Sequence, residues 1–433
     1  MNYYEGFDKA ALETERATLL DAYNNFKERK LSLDMSRGKP AKEQLDLSQS
    51  MLGVLDTPED CISRSGFDLR NYGLLDGIEE AKHMFSDILD VPKENLIVCG
   101  NSSLNIMYDT LARCMLFGPG KGFKPWSKLP VVKFLCPCPG YDRHFAICQS
   151  MGIEMIGVPM TPTGPNMDVV EALVASDDAI KGIWCVPKYS NPEGVTYSDE
   201  TVRRFAALTP AAKDFRIFWD NAYVIHDLYD EGDSLTNLQA LTRGTDNENM
   251  VFEFTSTSKI TFPGSGVACV ASSKENVEYI KSMMAVQTIG FDKLNMLRHA
   301  KFFEDMGGIR QHMKLHAAIL RPKFEAVLNA FEKNLVGIAE WTKPRGGYFI
   351  SFDSLPGCAK AIVARCKKAG VVMTAAGATY PHGIDPLDSN IRIAPSYPPL
   401  NDLEIAARLF ALCVKIEAAK SILSARGETV PTK

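Results

Sequence analysis

From about residue 96 to residue 270, short apolar runs alternate with amphipathic segments. The runs are Leu96 to Cys99, Val131 to Cys136, Met155 to Val158, Gly182 to Val186, Arg216 to Trp219, Val251 to Phe254 and Val267 to Val270. Between them, Leu104 to Phe117, Asp142 to Met151, Asp168 to Ala175, Asp199 to Leu208 and Glu275 to Met284 repeat apolar residues at helical spacing. This alternation predicts an α/β unit, a mainly parallel seven-stranded sheet joined by helical crossovers. Ahead of it, Leu12, Leu19, Leu20, Tyr23 and Phe26 mark an amphipathic helix from Asp8, its cap, to about Arg29. After residue 308 a long helix is expected from Ile309 to about Leu335, kinked by Pro322. Strands at Gly347 to Phe352 and Asn390 to Ile393 and a helix from about Leu403 to Leu423 complete a smaller α+β unit. The division that follows is residues 46–308 for the large unit, and 1–45 with 309–433 for the small one.

Composition narrows the function classes. The 433 residues are 45% hydrophobic and 23% charged, ordinary for globular proteins. A net charge of -5 without a block of like charges gives no electrostatic reason for nucleic acid or an anionic membrane as partner. No apolar run approaches a membrane span, and Met1 to Glu5 lacks the basic and apolar regions of an export signal. Eleven scattered cysteines, an odd number without a CxxC pair, suit a reducing cytoplasm. Cys136 and Cys138, and His312 and His316 at helical spacing, lack the further ligands of a metal site, so no metal is expected.

In open α/β sheets ligands bind beyond the carboxyl ends of the strands. Those positions are polar here: Gly100-Asn101-Ser102-Ser103, Pro139-Gly140-Tyr141, Tyr189-Ser190-Asn191-Pro192-Glu193-Gly194, Asp220-Asn221-Ala222-Tyr223 and Ser256-Thr257-Ser258-Lys259. Each alone has a plainer reading. The first is equally a helix cap, Asp220 a structural cap, Asn191-Pro192 a turn, Lys259 a surface lysine and Arg392 a solvent-facing arginine between Ile391 and Ile393. Neither a mononucleotide loop nor a dinucleotide fingerprint is present: Gly122 follows Lys121, and Cys269 stands at the third glycine position after Gly264-Ser265-Gly266.

Their order is more specific than any one motif. A phosphate cup, an aromatic, Asn-Pro, Asp-x-x-Tyr and Ser-x-x-Lys follow one another, with 29 residues from Asn191 to Asp220 and 39 from Asp220 to Lys259. The chain resembles the fold type I aminotransferases dependent on pyridoxal 5'-phosphate (PLP), and within them the aspartate aminotransferase-like group, from Ser36-Arg37-Gly38-Lys39-Pro40 to Asn390-Ile391-Arg392-Ile393. The resemblance implies that Lys259 forms the Schiff base and carries the proton, that Asp220 pairs with the pyridine nitrogen, and that Tyr141 stacks on the ring. It implies further that Asn191 and Tyr223 bind the ring oxygen, and that Asn101, Ser102, Ser103 and Ser256 hold the phosphate. Arg392 would clamp the substrate α-carboxylate, beside Gly38 and Asn191. Tyr72, in Asn71-Tyr72-Gly73, would cross to the neighbouring subunit's phosphate, which implies a homodimer with shared sites.

The resemblance has one departure. Such families place a phosphate-binding arginine seven or eight residues after the lysine, where Gly266 and Val267 stand here. Thr255 to Ser258 and Lys293 are the replacement candidates. The expected activity is transfer of an amino group between an amino acid, aspartate or glutamate foremost, and 2-oxoglutarate or another 2-oxo acid. Arg37 is the candidate for a side-chain carboxylate, against a loop-supporting role or a pair with Asp34. The rival readings are a lyase or decarboxylase on the same scaffold, and the effector domain of a transcription regulator.

Overall fold

The computed structural model describes residues 3–427 apart from residue 5. Met1, Asn2, Glu5 and residues 428–433, all assigned above to the small unit, lie outside the described residues. The central sheet runs, edge to edge, Leu96–Val98, Ala268–Ala271, Val251–Ser256, Arg216–Asp220, Ile180–Cys185, Lys133–Cys138, Glu154–Thr161 and Gly164–Pro165. Seven of these are the expected strands. The eighth, Gly164–Pro165, is a two-residue edge that hairpins back on Glu154–Thr161 and is too short to leave an apolar run in the sequence. Only it and Ala268–Ala271 run against the others.

The inner strands are continuous apolar runs because helices cover both faces of the sheet, so neither side of the pleat meets water. Ile180–Cys185, Arg216–Asp220 and Val251–Ser256 are buried along their whole length. Parallel direction has a second consequence. It gathers the carboxyl ends of these strands, with Asp220 and Ser256, at one edge of the sheet.

The first helix, Lys9–Glu28, begins at Asp8, whose Oδ1 accepts the Ala11 N–H at 2.8 Å. It packs on the C-terminal helix Leu400–Ala425, and Leu12, Leu19 and Tyr23 share one core with residues from Leu320 to Leu423. That core also takes in Val186, Tyr189 and Tyr223 from the sheet's carboxyl edge, which makes the apolar contact between the two parts of the chain continuous. The long helix, Met306–Asn334, runs unbroken past Pro322. Its apolar side meets the antiparallel strands Ile350–Asp353 and Asn390–Ile393, where Phe331 lies 5.2 Å from Phe352 and 5.5 Å from Phe410 between ring centroids.

Candidate active site

Strand Val251–Ser256 ends in a tight turn, Thr257–Lys259, which brings Lys259 back over the sheet's carboxyl edge. Its Nζ lies 4.9 Å from the ring centre of Tyr223 and 5.9 Å from that of Tyr348. Burial lowers the Lys259 pKa from 10.5, and the Asp220 carboxylate only partly offsets this. Asp220, 3% exposed, closes the neighbouring strand. Its Oδ2 lies 3.0 Å from His144 Nε2, and its buried Oδ1 has no hydrogen-bond partner among the described residues.

A cavity of about 390 Å3 joins Lys259 and Asp220 to Tyr141, Asn191, Tyr223, Ser103, Gly38, Arg37 and Arg392. Arg392 is 8% exposed and not solvent-facing. Its Nη1 donates to Asp142 Oδ1 at 2.8 Å and to Asn191 Oδ1 at 3.3 Å, and its guanidinium lies 4.9 Å from the Phe349 ring centre. The same ring explains Gly38, because a Cβ there would stand 2.3 Å from a Phe349 ring carbon. Asp34 is engaged by Ser36, whose N–H donates at 2.8 Å, and Arg37 is exposed at the cavity without an ion-pair partner among the described residues. Burial raises the pKa of Tyr141 and Tyr223, and the charge of Asp220 adds to this in both.

The remaining expected residues lie beside this cavity or away from it. Ser102 caps helix Ser103–Phe117 through the Asn105 N–H, and Ser258 Oγ reaches Asn101 O at 3.4 Å and Ser256 Oγ at 3.0 Å. Of the hydroxyls from Thr255 to Ser258, those of both threonines are engaged elsewhere. Thr255 donates to Asn221 O, and Thr257 takes the Val267 N–H and faces His299. Gly266 packs where a Cβ would meet Asn101 O at 2.6 Å, so an arginine does not fit that backbone. Lys293 is buried at the start of helix Lys293–Phe303. Tyr72 is 76% exposed and does not line the cavity.

Three residues were missed in the sequence: Asp142, Arg143 and His144, the first turn of the helix after Tyr141. Asp142 pairs with Arg392, Arg143 lines the cavity beside Arg37, and His144 holds Asp220. Their signal was present, three ionisable residues directly after a strand-end aromatic. His312 and His316, expected on an ordinary helix face, are buried with their Nε2 atoms 3.1 Å apart, and they also meet Gln44, Ser48 and the Ile260 carbonyl. No group of metal-ligating side chains occurs among the described residues. A larger groove of about 720 Å3 lies away from the strand ends, and Asp60 and Lys301 in it pair with each other at 2.9 Å.

The donor set fits pyridoxal phosphate. A buried carboxylate oxygen without a partner suits a ring N–H, and a buried lysine whose pKa is lowered suits an aldehyde. Comparison with known proteins agrees. Residues 7–426 match the family model described as aspartate amino-transferase. An aspartate aminotransferase of Corynebacterium glutamicum is 42% identical over 418 residues, 96% of each chain. The crystal structure of an aspartate transaminase from that organism superimposes with a TM-score of 0.93, covering 96% of this chain and 98% of its own. The multiple substrate aminotransferase of Thermococcus profundus, 20% identical, shares the fold with a TM-score of 0.74 over 96% of this chain and 99% of its own. The chain therefore belongs to the aspartate aminotransferase family and is a fold type I, PLP-dependent aminotransferase.

Proposed function

We propose that this aminotransferase moves an amino group between aspartate or glutamate and 2-oxoglutarate or a related 2-oxo acid, with pyridoxal phosphate held on Lys259. The observation that carries the substrate reading is the set of guanidinium groups on one cavity. Arg392 is buried and paired with Asp142, and Arg37 and Arg143 are exposed without an ion-pair partner among the described residues. A substrate with two carboxylates needs two cations to offset their desolvation.

When bound, the cofactor supplies an electron sink for the bond breaking at the substrate Cα. Lys259 Nζ, whose pKa burial lowers, takes the proton from Cα and returns it later in the cycle. Asp220 Oδ1 holds the ring N–H while His144 holds Oδ2. Asn191 accepts from Arg392 on Oδ1, which leaves its amide N–H groups for the ring oxygen, with Tyr223 beside them. Tyr141 would stack on the ring, and Asn101, Ser102, Ser103, Ser256 and Ser258 would hold the phosphate. Arg392 keeps its unpartnered Nε for the α-carboxylate. An α-carboxylate held by Arg392 would be kept from leaving, which favours transfer over decarboxylation.

Assembly and location belong to the same proposal. Leu116, Phe117 and Val286 form an exposed apolar groove between helices Ser103–Phe117 and Lys274–Gln287, and exposed Tyr72 adds to the case for a homodimer. Eleven unpaired, buried cysteines suit the cytoplasm, and no helix among the described residues is long and apolar enough to cross a membrane. The small unit is taken as 1–45 with 309–433, around the large unit 46–308.

A panel of amino donors with 2-oxoglutarate tests the reading. Aspartate and glutamate should lead. Arg37→Ala and Arg143→Ala should lose far more activity toward them than toward alanine, because a lost charged pair costs about 2 to 5 kcal/mol. An equal fall for all donors would defeat it.

A further inference from the structure

The turn that supplies Asn191 also carries a carboxyl group with no part in the chemistry above. Glu193 Oε1 accepts a hydrogen bond from Ser351 Oγ at 2.7 Å. Ser351 Oγ in turn accepts from Asn390 Nδ2 at 2.9 Å, and the same amide donates to Asp353 Oδ1 at 3.0 Å. Thr379 Oγ1 donates to Asn390 Oδ1 at 2.8 Å, which fixes the orientation of the amide. Ser351 stands directly opposite Arg392 in the antiparallel register, so their side chains share one face of the strand pair. Two residues before Glu193, Asn191 accepts from Arg392. Glu193 thus touches the strand paired with the one that carries Arg392 and shares a turn with a residue that binds it.

We propose that Glu193 is a positioning residue for Arg392, tying the 191–194 turn to strands Ile350–Asp353 and Asn390–Ile393, and that it takes up a proton when a carboxylate docks on Arg392. The proposal rests on the reading of Arg392 as the carboxylate site. The charged and titratable groups near Glu193 come from several elements: Asp353 on one strand, Arg392 on the other, paired with Asp142 of helix Asp142–Ser150, and Tyr380 and Asp385 from the segment that precedes the second strand. Burial pushes the Glu193 carboxyl up, the Ser351 hydrogen bond pulls it down and the Asp353 charge pushes it up again, to about 7 in all. A carboxylate docked on Arg392 brings a negative charge to the face that Arg392 shares with Ser351, the donor to Glu193, and so disfavours ionised Glu193. Binding therefore draws one proton from solvent onto Glu193, and by reciprocity protonated Glu193 strengthens binding.

The test is the affinity of the holoenzyme for maleate, an unreactive dicarboxylate, between pH 6 and pH 8. The titration of the cofactor imine is read from its absorbance in the same samples and subtracted. The wild-type dissociation constant should rise about three- to tenfold across this interval, tenfold being a shift of one pKa unit on binding. Glu193→Gln, which keeps the size and the acceptor, should show no such step. Ser351→Ala should keep the step but move it to higher pH, because the carboxylate loses its donor. A wild-type step retained in Glu193→Gln, or one unmoved in Ser351→Ala, overturns the inference. Maleate bound as tightly by Arg392→Lys as by wild type would instead overturn the reading of Arg392 on which the inference depends.

Discussion

His144 Nε2 stands 3.0 Å from Asp220 Oδ2, and the imidazole is stacked on Trp184 with ring centroids 4.3 Å apart. The stack holds the imidazole, and the imidazole fixes which carboxylate oxygen of Asp220 is left for the cofactor. A hydrogen bond to a charged group contributes about 1.5 to 3 kcal/mol. His144→Ala is therefore expected to lower turnover roughly ten- to a hundredfold and to shift the absorbance of the bound cofactor. Wild-type turnover with an unchanged spectrum would show that Asp220 keeps its orientation without His144.

Gly38 and Phe349 make a second pair that can be separated by mutation. A Cβ on residue 38 would overlap the Phe349 ring, which lies against the Arg392 guanidinium. Gly38→Ala should displace that ring and raise KM for the amino donor more than it lowers kcat. Phe349→Leu in the same chain should restore part of the loss. Steady-state kinetics of the two variants decides it, and failure of the rescue would place the defect in the loop itself.

The lowered pKa of Lys259 has a direct kinetic signature. Only the neutral amine attacks an aldehyde, so the rate of loading pyridoxal phosphate onto cofactor-free protein should rise with pH and level off at a midpoint below 10.5. Asp220 favours the ammonium form, and Asp220→Asn should move that midpoint lower. Stopped-flow absorbance across the pH range measures both, and a midpoint at or above 10.5 would remove the desolvation argument.

Tyr72 is exposed and does not line its own chain's cavity. If it serves the neighbouring subunit, mixing Tyr72→Phe with Lys259→Ala protein should create hybrid dimers in which one site carries both defects and the other neither. Activity should partly return on mixing. Hybrids that form and stay as inactive as their parents would show that Tyr72 does not cross the interface.

How much of this was legible beforehand follows from the range of the interactions involved. Strands such as Arg216–Asp220 were readable because a strand covered on both faces is apolar over most of its length, a local property. Asp220 and Lys259 were findable for a related reason, since polar residues that end such runs fall at the sheet's carboxyl edge whatever surrounds them. The two-residue strands Gly164–Pro165 and Leu33–Asp34 were not legible. Their pairing depends on a partner strand, and in the second case that partner, Val371–Val372, is distant in the chain.

The sequence by itself determined the alternating architecture, the order of the strand-end motifs and the residue types at the sheet's carboxyl edge, because each is a property of contiguous residues. Tertiary structure alone decided that Arg392 faces inward, since alternation with Ile391 and Ile393 is the same for a buried and an exposed face until the strand is placed against Asp142 and Asn191. It alone decided that His144 meets Asp220 and that Glu193 meets Ser351, contacts spanning 76 and 158 residues. Such contacts form only when loop closure is offset by burial of the whole core, and no local pattern encodes them.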